Sequence, residues 1–247
     1  MATQSGILKG TPYLGIFGAA NPLLPAGNTS KCSFSIETET KELPDFQNPG
    51  GGLDDNFDRL KASKIALSFR HMKKHVLELV TGGVATTQAA GAVSAEAHND
   101  IVLGGLIVFA KAQDLSLACT VEKGATTYVE GTDYTRVRAG IIPLATGTMV
   151  AGDDITVDYT ALAAESIEGQ INLTREYHVI FDGINERTGN AVLADWYRVK
   201  FGPAKNIEFI GDDYISFDVE GTLLKDESKT GTGVSQYYKL RAVGVTN

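Results

Sequence analysis

Two histidines four residues apart open the chemical inventory. His71-Met72-Lys73-Lys74-His75 puts two imidazoles on one face of a helix, the arrangement with which a zinc peptidase holds its metal. That chemistry needs a glutamate directly after the first histidine as general base, and Met72 stands there instead. Lys73 and Lys74 also oppose a cation, so the segment reads as a solvated helix face. Asp54, Asn56 and Asp58 imitate the first ligands of a calcium loop, but the position that requires glycine is Arg59 and the closing glutamate is replaced by Ile65. Gly50-Gly51-Gly52 and Gly231-Thr232-Gly233 lack the Lys-Ser/Thr pair of a phosphate-binding loop and read as turns. Asp153-Asp154 and Asp212-Asp213 sit where acids serve strand-entry turns rather than a catalytic dyad. Neither Cys32 nor Cys119 has a motif neighbour that would activate a thiol. The residues imply no catalytic set, no metal site and no cofactor.

The elements around this sparse chemistry read as mainly β. The chain has 247 residues with 30 acids against 22 bases, a net charge of −8, which argues against wrapping DNA or coating an anionic membrane. Two cysteines make no disulfide framework and suit a reducing compartment. Residues 12–25 make a poor signal peptide because prolines interrupt them, and the apolar stretch 101–110 is half the ~20 residues of a membrane helix. A soluble protein without membrane insertion is expected.

Cys32, Phe34 and Ile36 alternate with Ser33, Ser35 and Glu37, and Ile65, Leu67 and Phe69 with Lys64, Ala66 and Ser68, predicting an antiparallel pair over 29–40 and 60–70. The connection 41–59 shows no period, contains Pro44, Pro49 and the glycine triplet, and reads as a long functional loop rather than a tight hairpin. From Glu37 to Asp58 it and its flank hold seven acids and one base. Met72, Val76, Leu79 and Val80 predict one short helix ended at Gly82. Residues 1–28 read as an extended arm and 84–98 as a linker. Strands are expected at 101–110, 115–122, 126–129, 134–138 and 155–159, then at 173–181, 192–201, 207–210, 214–224 and 236–243. The simplest organisation is a discontinuous β domain, 1–83 and 171–247, with a second β unit inserted at 84–170.

The stretch from Gly27-Asn-Thr-Ser-Lys31 through Lys41-Glu42-Leu43-Pro44-Asp45-Phe46 to Pro49-Gly50-Gly51-Gly52 resembles the tail tube proteins (major tail proteins) of long-tailed bacteriophages. Tyr128-Val-Glu-Gly131-Thr-Asp133-Tyr134 and Ala139-Gly140-Ile141-Ile142-Pro143-Leu144 are similar to a segment of larger tube proteins. The likeness is most specific over 27–82, and His71-Met-Lys-Lys-His75 departs from the family's usual helix opening. The resemblance implies a β-barrel or sandwich with one short flanking helix and an inserted β-sandwich-like domain on the outside of a tube. It implies hexameric rings stacked into that tube in the virion, after synthesis in the host cytoplasm, with double-stranded DNA passing through unbound. The inner barrel would take strands 29–40, 60–70, 173–181 and 214–224. Lys41, Glu42, Leu43, Pro44, Asp45, Phe46, Pro49, Gly50, Gly51 and Gly52 would form the inter-subunit or inter-ring loop. Glu37, Glu39, Glu176 and Asp218 are candidate lumen-facing acids. Partners would be further copies of the chain and the tape measure, tail terminator and distal tail proteins. A contractile injection or secretion tube and a β-sandwich binding or adhesin module are the alternatives; the missing acid/base and nucleophile sets place an enzyme last.

Overall fold

The structure, a computed structural model, describes residues 6–20 and 22–243. It is mainly β, with multiple antiparallel sheets and one short helix. The first strands are β1 (Leu8–Ile16), β2 (Leu24–Pro25), β3 (Thr29–Pro44) and β4 (Leu53–Phe69), followed by α1 (Lys74–Thr81) and β5 (Val84–Gln88). Next come β6 (Gly91–His98), β7 (Ile107–Val108), β8 (Thr120–Lys123), β9 (Thr126–Tyr128), β10 (Tyr134–Val137), β11 (Gly140–Pro143) and β12 (Ile155–Ala161). The chain ends with β13 (Ala164–Glu168), β14 (Glu176–Asn185), β15 (Ala191–Phe201), β16 (Phe217–Leu223) and β17 (Tyr238–Ala242). It divides into two compact units, 1–85 with 167–247, and 86–166. The chain leaves the first unit along β5 and returns along β13, and these two strands pair with each other.

In the first unit the sheet order is β2-β1-β14-β15-β16-β4-β3, with β17 also on β15. The sheet forks at β15: Val192–Trp196 pairs with β17, while Val199–Phe201 pairs with β16. The fork lets the sheet curl around one apolar cluster. Ile65, Leu67 and Phe69 of β4, Val179 of β14, Val199 of β15, and Phe217 and Val219 of β16 are buried there. Period-two alternation puts these side chains on one face and the polar ones on the other.

Helix α1 closes the cluster with Val76, Leu79 and Val80. It stops because Gly82 adopts a left-handed φ of 60°, which lets the Gly83 amide reach the Glu78 carbonyl. Met72 does not join this face. It lies before the helix, which begins at Lys74, and is exposed.

The second unit has two sheets, β10-β11-β7 and β6-β12-β8-β9. Ile101, Val121, Tyr134, Ile141, Ile155 and Val157 form its core. Gln113 is fully buried, and its amide donates to the Val137 and Gly140 carbonyls at 2.8 and 2.7 Å. A Cβ on Gly140 would fall 1.8 Å from the Ile107 carbonyl oxygen, so only glycine fits.

Several expectations need correction. The segment 41–59 is not a structureless loop: β3 and β4 continue as one long hairpin, with Lys41 opposite Phe57 and Pro44 opposite Leu53. Only Asp45–Gly52 remains as the turn. The arm 1–28 contains β1, paired along its length with β14; its first five residues and Asn21 lie outside the described residues. The linker 84–98 is two strands, β5 and β6. Of 101–110 only Ile107–Val108 is strand, and 207–210 is not strand. The strand expected at 173–181 begins at Glu176. The four expected inner strands are not contiguous, because β15 separates β14 from β16.

Candidate functional site

The far end of the β3–β4 hairpin is an exposed feature of the first unit. Asp45 shapes its turn: the carboxylate accepts the backbone amides of Gln47 and Asn48 at 2.8 and 3.1 Å and the Asn48 side-chain amide at 2.5 Å. The Asn48 side chain first, then those amides, hold the Asp45 carboxyl below its usual range. Gly50, Gly51 and Gly52 all take positive φ, at 118°, 70° and 140°, a path closed to other residues without strain. The Asp45 amide then closes on the Gly52 carbonyl. Of the ten expected loop residues, Lys41, Glu42, Leu43 and Pro44 therefore lie in β3, and Asp45, Phe46, Pro49, Gly50, Gly51 and Gly52 form the turn.

Leu43, Phe46, Leu53 and Phe57 are exposed on this end, Phe46 to 83%. Glu42, Asp45, Asp54, Asp55 and Asp58 surround them, with no base between 42 and 58.

The four candidate acids fall closer together in space than in sequence. Asp218 is opposite Ser68, Thr222 opposite Lys64 and Lys200, and Lys200 opposite Glu176. With Glu37 opposite Ala62, the pairing puts Glu37, Glu176 and Asp218 on the polar face of β14-β15-β16-β4-β3. Glu39 lies beyond the register shift between Glu37 and Thr38.

They do not form a bare negative wall. Glu37 pairs with Lys64 at 2.7 Å, Glu39 with Lys41 and Arg59 at 2.5 and 2.6 Å, and Glu176 with Arg198 at 2.7 Å. These cations hold the three carboxyls below their ordinary range. Asp218 makes no ion pair among the described residues. The same registers add Lys31, Lys200, Glu220 and Thr222 to this face, with the small side chains of Ser33, Ser35, Ala66 and Ser68 among them.

A feature that sequence reasoning missed lies beside the base of the hairpin. A cleft of about 910 Å³ opens between β1, β3, β15 and β17, lined by Leu8, Phe34, Ile36, Trp196, Tyr238 and Leu240, with Lys9 and Cys32. Burial pushes the Cys32 thiol up to about 11, so it is not an activated nucleophile. The available signal was the alternation of Cys32, Phe34 and Ile36, but a sequence does not say whether such a face meets its own core or stays accessible.

The two histidines do not share a helix face as expected: His71 precedes α1, which begins at Lys74, and His75 is half-buried. His71 Nδ1 accepts the Asn28 amide, and burial, then Lys73, lowers the His75 pKa. No group of three or more His, Cys, Asp or Glu stands together to hold a metal among the described residues. No helix there is long and apolar enough to cross a membrane.

The molecule is thus a two-unit, mainly β protein whose conspicuous surface device is a long acidic hairpin. A family described as "Protein of unknown function UCP028589" matches residues 5–241, and the chain belongs to that family. No curated protein matches the chain.

Proposed function

We propose that this protein is a structural subunit of a phage tail tube, assembling into stacked rings, hexameric by resemblance, whose lumen conducts DNA. The observation that carries the reading is the β3–β4 hairpin, which extends a sheet of the core into a tip with four exposed large apolar side chains. Such a tip is costly for a free subunit and is accounted for by a partner that covers it. The end strand β3 has one strand partner, β4, among the described residues, and closure across subunits would protect its open edge.

A lumen wall must let DNA slide without holding it. The polar face of β14-β15-β16-β4-β3 suits that role: Glu37 and Glu176 sit beside cations, and Asp218 and Glu220 are interspersed with Lys31, Lys64 and Lys200. Such a face offers no continuous row of cations for phosphate. The second unit, 86–166, decorates the tube exterior in this reading. Further copies of the chain, the tape measure, tail terminator and distal tail proteins are the proposed partners, and the virion is the proposed location.

Negative-stain electron microscopy across protein concentration and salt tests the reading. Rings or hollow tubes support it; particles that stay monomeric under every condition overturn it.

A further inference from the structure

The histidine motif is built against the segment 24–28, which includes β2 and leads into β3. Both imidazoles hold that segment. The Asn28 amide donates to His71 Nδ1 at 3.2 Å, so this nitrogen keeps its lone pair and the ring is neutral, with its proton on Nε2. Gly27, at φ 88°, lets the ring lie close, since a Cβ there would stand 2.7 Å from His71 Nδ1. His75 donates to the Pro25 carbonyl, which also accepts Lys73 Nζ at 3.0 Å. His75 Nε2 is buried without a hydrogen-bond partner among the described residues, so its donor to Pro25 is Nδ1. Between these anchors Ala26 is fully buried in the core, and its amide donates to the Pro12 carbonyl.

Each ring has one position left for a second proton, and the structure blocks both. On His71 it is Nδ1, where a proton would meet the Asn28 N–H and abolish that bond. On His75 it is Nε2, where a new N–H would be a buried donor without an acceptor, on a ring that has become charged. The surroundings supply no free acid to compensate. Segment 24–28 has no titratable side chain, and Arg70, Lys73 and Lys74 flank the rings along the chain. Arg70 is turned to the Ser30 hydroxyl and the Tyr214 carbonyl. Glu78 favours a charged His75, but its carboxylate is committed to the Ala85 amide at 2.8 Å and to Arg175 at 3.7 Å. β16, packed on the helix, turns Phe217 and Val219 into the core, and Asp218 and Glu220 alternate to the opposite face. Burial first, then Lys73, hold the His75 pKa below its ordinary value.

We propose that segment 24–28 is a proton-released latch, held shut by neutral His71 and His75 and opened when mild acid charges them. A base whose folded pKa lies below its unfolded value gives stability that is complete above about pH 6.5 and is lost as pH falls through the folded value. The release is local, because β3, β4, β15 and β16 contain no histidine. Opening withdraws Ala26 from the core and loosens Asn28, Thr29 and Ser30, which line the cleft. The latch thus couples mild acid to the entry of β3, and it stands independently of the tube reading.

Hydrogen exchange of the full chain, read peptide by peptide and corrected for the intrinsic rate, tests this between about pH 7 and about pH 5, where histidine is the side chain that titrates. The imidazole C2–H resonances follow the four histidines in parallel. The expected result is that protection of 24–30 falls roughly tenfold or more across that interval while β4 is unchanged. The midpoint should coincide with the titration of His75, below about pH 6.5. In the double variant His71→Asn with His75→Asn, carboxamides can make the Asn28 and Pro25 bonds without titrating, so protection should not vary with pH. A wild type whose protection is flat over the interval, or a double variant that loses protection as the wild type does, overturns the latch. Where the double variant is loose at every pH, the wild type decides alone: a fall that tracks His75 supports the latch, and a fall at another midpoint overturns it.

Discussion

Phe34 of β3 and Tyr238 of β17 bring their ring centroids to 4.8 Å, although β3 pairs with β4 and β17 with β15. The curled sheet is closed here by side chains, not by a backbone ladder. Both strand edges therefore stay open, and the cleft lies between them. Trp196 completes the contact at 6.1 Å from Phe34.

Phe34→Ala should therefore loosen the closure without unravelling either ladder. Truncating a large aromatic in a core costs about 3–5 kcal/mol, and a half-buried ring somewhat less, so a loss of about 2–3 kcal/mol is expected. Denaturant unfolding followed by Trp196 fluorescence measures it. A loss below about 0.5 kcal/mol would show that the ring contact does not hold the sheet closed.

Gly140→Ala is expected to be severe for the second unit. The added carbon meets the Ile107 carbonyl at 1.8 Å and the backbone sits at φ 154°, so β7 and β11 must separate. The expected cost is about 3 kcal/mol or more. Calorimetry on the intact chain should show a transition falling by several degrees, whereas Gly104→Ala, where the space is open but φ is 76°, should cost only about 1 kcal/mol of backbone strain.

The pH dependence of the second unit follows from Asp133. Backbone amides of Thr148 and Val129, then the Thr148 hydroxyl, lower its pKa in the folded state. A depressed folded pKa contributes stability above the unfolded value, near pH 4, that is lost as pH falls through the lower folded value. The melting temperature of the wild type should therefore drop below about pH 4. Asp133→Asn, which cannot titrate, should lower stability at pH 7 and flatten that acid limb; an unchanged limb would remove Asp133 from the account.

Cys32 should react slowly with alkylating reagents. With its pKa raised to about 11, the thiolate fraction at pH 8 is roughly a thousandth, and the rate should climb about tenfold per pH unit until near pH 11. Mass spectrometry after timed alkylation separates it from Cys119, in the other unit, whose pKa burial also raises. Rapid labelling of Cys32 at neutral pH would contradict the burial of that thiol.

The parts of the fold legible in the sequence are those where a buried face imposes a period. Ile65, Leu67 and Phe69 alternate because one side of β4 packs on the core, and Val76, Leu79 and Val80 repeat because one side of α1 does. The outer half of the hairpin has no such constraint. Asp54, Asp55, Asn56 and Asp58 are exposed, so no hydropathy period marks them, and Pro44, Pro49 and three glycines mimic a disordered loop. Strands β5 and β6 were hidden by Ala, Thr and Gly, whose side chains give weak contrast between faces. In β1, Pro12 suggested a break, yet its carbonyl still accepts the Ala26 amide and the strand runs on. For the candidate site, the spacing of the acids was readable but their cations were not. Lys64 meets Glu37, and Arg198 meets Glu176, only through the registers of β3 with β4 and of β14 with β15.

Replacing the turn 45–52 by a two-residue Asn-Gly link leaves the core and the inner β3–β4 ladder in place, because no core residue lies in the segment. The melting temperature should change by no more than a degree or two.

The most direct measurement is negative-stain electron microscopy of the wild type beside this shortened-hairpin variant, at matched concentration and salt. The account predicts rings or hollow tubes for the wild type and single folded particles for the variant. A wild type that remains monomeric throughout, or a variant that builds the same tubes, would contradict it.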